Sequence, residues 1–447
     1  MIFALSKPVR ILKILGLMTT ALLWSSTLPA KPELPHHNNS DKFLGIETCG
    51  SSTCHGSTEP WRNATVLMKE RILWEHSDPH SDAYETLQSN RAKSIANKLN
   101  LKNAQEAPQC LTCHATYVPE VQRGENFTLH AGVTCESCHG PGGAFLSTHL
   151  KADSNHERNI AAGLYPTSTP GPRAELCLSC HQADSNNKFS HRYYGAGHPR
   201  LRFELETYTA AYAHYNKDAD YVRRKNPSSP VYAWAKGQLI AGLHTSESLL
   251  TNIRKGGLLP ELSHFECSDC HQSIAVLTDI NRSHENFGTP SINISNMVMI
   301  HAIASVLDRR LAAQIRHNIS LLIHDTDSRK SITEALTSLT KQIKKLQPSL
   351  QSLEAKQISG LDLANHLISS MKELTAPSYY MAEMTAMSLS TLLVSDYEEK
   401  RIDSTKLQAL EAKLDSVFLQ LGNETNYNRG NYLRAVNAFA DGINHEL

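Results

Sequence analysis

Ten cysteines stand in five pairs, and each pair is followed at once by a histidine. Four pairs read Cys-x-x-Cys-His: Cys110–Cys113–His114, Cys135–Cys138–His139, Cys177–Cys180–His181 and Cys267–Cys270–His271. The fifth is stretched, with Gly50, Ser51, Ser52 and Thr53 between Cys49 and Cys54 ahead of His55. The regular spacing is that of c-type haem attachment. Two thiols form thioethers with the ring vinyls, and the next histidine turns back to give the iron its proximal nitrogen. The stretched loop is made of small, flexible residues and still permits attachment. Paired cysteines also bind zinc or form disulfides, but neither needs a histidine directly after each second cysteine. The cysteines therefore predict five covalently bound haem c, with proximal ligands His55, His114, His139, His181 and His271.

The far side of each iron then decides the chemistry. A second histidine gives a six-coordinate iron suited to electron transfer, and an open position admits a substrate. The chain has 23 histidines; five are proximal, which leaves eighteen from which far-side ligands can come.

These sites need an exported, mainly α scaffold. Lys7, Arg10 and Lys13 precede an apolar run from Ile14 to Trp24, and small residues lead to Ala30, the layout of a secretory leader. The run is too short and interrupted for a membrane span, so an uncleaved anchor is the lesser reading. We expect residues 1–30 as signal peptide, 31–47 as linker, 48–290 as the haem domain and 291–447 as a C-terminal helical domain. The periplasm is the expected compartment, since c-type haem is attached outside the bacterial cytoplasmic membrane. Lys and Arg number 44, and so do Asp and Glu; this balance gives no electrostatic footprint for nucleic acid.

The haem region is rich in Gly, Pro and short polar stretches. Beyond about residue 290 apolar residues recur at helical spacing: Val298, Ile300, Ile303, Val306, Leu307, Leu311, Ile315, Ile319 and Leu322. One run spans Ile294–Lys345, with Asp308, Arg309 and Arg310 read as a solvated patch. Further helices are expected over Gln351–Leu374, Tyr379–Tyr397, Asp403–Leu421 and Tyr427–Leu447. These helices either pack as a bundle on the haem region or offer a surface for a homo-oligomer.

Several flanking segments resemble the multihaem family of hydroxylamine oxidoreductase, pentahaem cytochrome c nitrite reductase and the tetrahaem electron acceptor of ammonia oxidisers. Trp74-Glu-His-Ser-Asp-Pro-His80-Ser-Asp-Ala-Tyr84 is similar to the stretch after the first haem of the tetrahaem group. Gly132-Val-Thr-Cys-Glu-Ser-Cys-His-Gly-Pro-Gly142, followed by His149, resembles a haem motif with a glycine-rich exit. Gly195-Ala-Gly-His198-Pro199 resembles a histidine-proline ligand segment. The resemblance implies His80, His149 and His198 as distal ligands. There are departures. The nitrite reductases ligate their catalytic haem with lysine, and no Cys-x-x-Cys-Lys occurs here. Hydroxylamine oxidoreductase has more haems and a cross-linked tyrosine; Tyr193, Tyr194, Tyr208, Tyr212 and Tyr215 are available, but nothing marks one.

Two further distal candidates come from the residues themselves. His244 lies in a helical stretch before the last haem motif. His301 lies in the apolar segment Met297-Val-Met-Ile-His301, where a buried histidine needs a partner. His130 and His264 rank below them, and His317, His324, His366 and His445 read as surface or structural. His191, Arg192, Tyr193, Tyr194 and Arg200 form a polar cluster that could line a substrate pocket. No catalytic residue can be assigned. Two functions follow: a periplasmic carrier passing electrons to or from a periplasmic or membrane redox partner, or a reductase or oxidase of a small nitrogen or sulfur compound at one open haem.

Overall fold

Side-chain caps explain where the C-terminal helices begin. In a computed structural model of the chain, six long helices each open on a residue whose side chain accepts a backbone N–H: Asp308, Ser328, Ser359, Ser378, Asp403 and Asn428. Such caps satisfy donors that the first helical turn leaves unpaired. The structure describes residues 33–35, 40–60, 67–182, 189–202, 204–215, 227–255, 261–267, 271, 291–325 and 328–445. The leader and Cys270 lie outside the described residues. The chain is mainly α, 67% helical, with no strand among the described residues.

In the haem region the helices that concern the site are α1 (Glu70–Ser77), α2 (Pro108–His114), α3 (Cys135–His139), α4 (Gly142–His149), α5 (Pro170–His181), α6 (His191–Ala196), α7 (Leu205–Ala211) and α8 (Pro230–Lys255). The later helices are α9 (Ser295–Leu307), α10 (Arg309–His324), α11 (Arg329–Leu346), α12 (Gly360–Leu374), α13 (Tyr379–Glu398), α14 (Ser404–Leu419) and α15 (Arg429–Asn444). Residues Glu33–Leu447 form one compact unit.

The single run expected over Ile294–Lys345 is three helices. Asp308 is not a solvated patch residue: its backbone is extended and its carboxylate accepts from Leu311 N at 2.9 Å. Ser328 repeats the device for α11. The apolar spacing nevertheless marks the core, because Val298, Ile300, Ile303, Leu311, Ile315, Ile319 and Leu322 are all buried. The expected helix from Gln351 is one turn, and α12 starts only at Gly360.

The haem region also contributes to this core. α8 is a 26-residue helix, longer than the short elements expected there. Its Val231, Trp234 and Leu239 share one apolar cluster with the C-terminal helices. Trp234 Nε1 donates to Ser388 Oγ on α13 at 3.0 Å. So the C-terminal helices pack as a bundle around a helix supplied by the haem region.

The entry to α12 is held by one buried carboxylate. Asp396 on α13 accepts from Gly360 N at 2.6 Å, Leu361 N at 3.0 Å and Ser359 Oγ at 2.6 Å. A Cβ on Gly360 would meet the Leu392 carbonyl oxygen at 2.2 Å, so only glycine allows this approach. Asp396→Ala takes this acceptor from Gly360 N and Ser359 Oγ, while Leu361 N keeps Ser359 Oγ at 3.1 Å; hydrogen bonds to a charged group are worth ~1.5–3 kcal/mol each. We expect a loss of ~3 kcal/mol, read as a lowered denaturant midpoint of the helical circular dichroism signal.

Candidate haem centres

Three of the histidines expected as proximal ligands sit where their helices stop. His114, His139 and His181 are the last residues of α2, α3 and α5. Pro108 and Pro170 stand in the first turns of α2 and α5, where a missing N–H is harmless. The stretched motif closes on itself in the same sense as a regular one. His55 N donates to Cys49 O at 3.1 Å, as His271 N donates to Cys267 O at 2.9 Å.

Each proximal histidine faces a second histidine. The ring centroids are 6.0 Å apart for His55–His149, 6.0 Å for His80–His181, 6.2 Å for His114–His198, 6.3 Å for His139–His214 and 6.1 Å for His191–His271. A metal–imidazole bond is about 2 Å, so two bonds end to end plus the inner half of each ring span about 6 Å. The separations are too wide for direct ring stacking and suit one iron between two imidazoles. The rings of His55–His149 and His191–His271 lie within 19° and 22° of parallel; the other three pairs cross at 84°, 74° and 80°.

The ring nitrogens fit as well. Nδ1 of His55 meets Glu70 Oε2 at 3.1 Å, and Nδ1 of His80 meets Asp78 Oδ1 at 2.8 Å. Nδ1 of His114 donates to Ala83 O at 3.0 Å, and Nδ1 of His198 to Pro199 O at 2.7 Å. Each arrangement leaves Nε2 for a metal, with the outer partner fixing the ring. Burial pushes His114, His198 and His214 down, and His181 down to about 4 with the charges of His80 and His114 adding to it. A neutral imidazole is the form that binds iron. At His80 burial works the same way, but the Asp78 carboxylate more than offsets it and raises the pKa.

Burial raises Cys49 to about 12, Cys135 to about 11 and Cys177 to about 12. Zinc would need converging thiolates, yet among the described residues no three His, Cys, Asp or Glu side chains gather to hold a metal ion.

The motifs adjoin one another out of sequence order. Cys49 feels Cys135, and Cys138 feels Cys177 and Cys180. Cys113 feels Cys180. α6 links the last two: His191 at its start faces His271, and His198, just beyond its end, faces His114. Gly197 between them has φ 108°, a left-handed turn that reverses the chain and sets His198 N on Tyr193 O at 3.0 Å.

The placement of the sequence candidates is mixed. His80, His149 and His198 each stand opposite a proximal histidine. His244 and His301 do not. His244 gives its Nε2, the nitrogen an iron would need, to Glu175 at 2.8 Å. His301 bonds Ser370 on α12 at 2.8 Å inside the bundle core, so its partner is a hydroxyl. Its pKa is also pushed down to about 4 by burial, so burial alone does not identify a ligand. The positions opposite His271 and His139 belong to His191, read from sequence as pocket-lining, and His214, which sequence reasoning passed over. The signal available for both was position: His191 opens the helix whose exit carries His198, and His214 ends the tyrosine-rich segment after α7.

Two arginines of the polar cluster expected from sequence are engaged in other contacts. Arg192 donates to Leu99 O at 2.9 Å. Arg200 is half-buried against Glu383 and Glu424, each at 3.4 Å, with its guanidinium 5.5 Å from the Tyr379 and Tyr380 rings.

Paired histidines beside paired thiols on a helical frame are what a multihaem c-type cytochrome requires, and the comparisons point to the same kind of protein. Residues 48–140 match the family of cytochrome c554 and c-prime. The chain is 27% identical over 195 residues to multiheme cytochrome MtrA of Shewanella baltica, covering 42% of this chain and 50% of that one. It is 27% identical over 124 residues to cytochrome c-554 of Nitrosomonas europaea, covering 26% of this chain and 46% of that one. The chain thus spans about half the length of the curated relatives it matches. No solved structure matches it.

Proposed function

We propose that the chain is an exported pentahaem electron carrier of the periplasm, in which every iron is held between two histidines. The observation that carries this reading is the set of five histidine pairs at 6.0–6.3 Å. The stretched motif counts as a haem site because its backbone closes like a regular one. The ligand pairs are His55 with His149, His114 with His198, His139 with His214, His181 with His80 and His271 with His191. Bound haem supplies the one-electron chemistry; the chain supplies axial ligands, burial and order. Named by chain position, the motifs run first, third, fourth, second, fifth. The first and fifth are therefore the ends at which a periplasmic or membrane redox partner exchanges electrons. A reductase needs an iron with an open position, and this reading leaves none.

Electron paramagnetic resonance of the oxidised protein tests it. Crossed imidazole planes leave two iron d orbitals nearly degenerate and give strongly anisotropic low-spin signals; parallel planes split them and give rhombic ones. The expected spectrum is wholly low-spin, with three haems of the first kind and two of the second. Haem content should be five per chain. A high-spin haem, or a count of four, would overturn the reading.

A further inference from the structure

One short helix touches the axial ligands of two different centres. Glu70 opens α1 and Asp78 follows its last residue. Glu70 meets Nδ1 of His55, the proximal ligand of the first haem, at 3.1 Å. Asp78 accepts from both the backbone N of His80, at 3.0 Å, and its Nδ1, at 2.8 Å; His80 is the far-side ligand of the fourth haem. The second haem has neutral partners instead, the carbonyls of Ala83 and Pro199 for His114 and His198; at the third, His139 meets the Thr167 hydroxyl at 3.5 Å, and Asp78 and Glu70 act on His214 only through space.

A carboxylate on the outer nitrogen makes an imidazole a stronger donor to its metal, which favours the ferric iron over the ferrous. We propose that α1 is a potential-setting element: Glu70 and Asp78 lower the reduction potentials of the first and fourth haems below those of the second and third. Both are positioning residues acting through a ligand. Along the spatial row the sequence of potentials is then low, high, low, high over the first four centres. An electron crosses this stretch by alternate uphill and downhill steps. The inference rests on the proposed ligation.

The test is a redox titration of the holoprotein followed by electron paramagnetic resonance, which separates the two classes of haem. Glu70→Gln should raise one midpoint in the rhombic class, because the His55–His149 rings are near parallel. Asp78→Asn should raise one midpoint in the strongly anisotropic class, because the His80–His181 rings are crossed. Glu70→Asp should restore part of the lowering. Glu75→Gln is the control: Glu75 lies on the same helix but pairs with Arg71 at 2.8 Å. Should Asp78→Asn not fold, Asp78→Ser removes the charge with a shorter side chain. Midpoints that stay put, or move no more than in Glu75→Gln, overturn the proposal while the wild type remains low-spin. A high-spin wild type would instead remove the ligation reading beneath it.

Discussion

Replacing His214 by alanine should turn one haem in five high-spin and leave the other four unchanged. His214 faces His139 at 6.3 Å, and the methyl of alanine cannot reach an iron held on the other side. The lost signal should belong to the strongly anisotropic class, since the two rings cross at 80°. His191→Ala should do the same to the rhombic class, because His191 and His271 lie within 22° of parallel. Each opened iron should then bind an added small ligand such as cyanide, with a shift of its absorption band. His244→Ala and His301→Ala are the counterparts: both should keep every haem low-spin, because their partners are Glu175 and Ser370. High-spin haem in His244→Ala, or none in His214→Ala, would refute the pairing. The four variants together decide between the far-side ligands read from structure and the candidates named from sequence.

Trp234→Ala should produce the largest loss of stability by a single substitution. Trp234 is completely buried in the core that α8 shares with the C-terminal helices. Removing a buried tryptophan to alanine costs ~3–5 kcal/mol, through lost burial and the cavity left behind. The Ser388 hydroxyl also loses the indole N–H that it accepts. Trp234→Phe keeps most of the volume and loses only the hydrogen bond, so its cost should be nearer ~1 kcal/mol. Denaturant midpoints of the two variants, followed by circular dichroism, give the comparison. Their haem spectra at zero denaturant should match the wild type, because Trp234 points into the helical core and ligates nothing.

The sequence marks the covalent half of the proposed site by itself, because cysteine spacing is a local property. Cys-x-x-Cys-His needs one helical turn, and the structure places that turn at the ends of α2, α3 and α5. The far-side histidines come from distant segments, so spacing says nothing about them. His80, His149 and His198 were accessible through likeness to related segments. His191 and His214 lie in stretches without such likeness; the tyrosine neighbours of His191 suggested a pocket, and His214 was passed over. His244 and His301 attracted attention because a buried imidazole needs a partner; the rule held, but a carboxylate and a hydroxyl met it. In the fold, periodicity found the buried faces and missed the interruption at Asp308, because apolar spacing continues across a capped break. The contribution of α8 to the bundle core was also invisible, since its apolar run sits between two haem motifs.

The five histidine pairs have a consequence for the chain as a polymer. Each pair joins residues roughly 75 to 100 apart, a length at which closing a loop removes several kcal/mol of denatured-state entropy. The pairs are staggered along the sequence: 55 to 149, 80 to 181, 114 to 198, 139 to 214 and 191 to 271. Every closure overlaps the next and none lies inside another. With iron bridging each pair, releasing one ligand still leaves its segment threaded between two intact neighbours. The haem region is thus interlaced like overlapping stitches, and it should open as a whole or not at all.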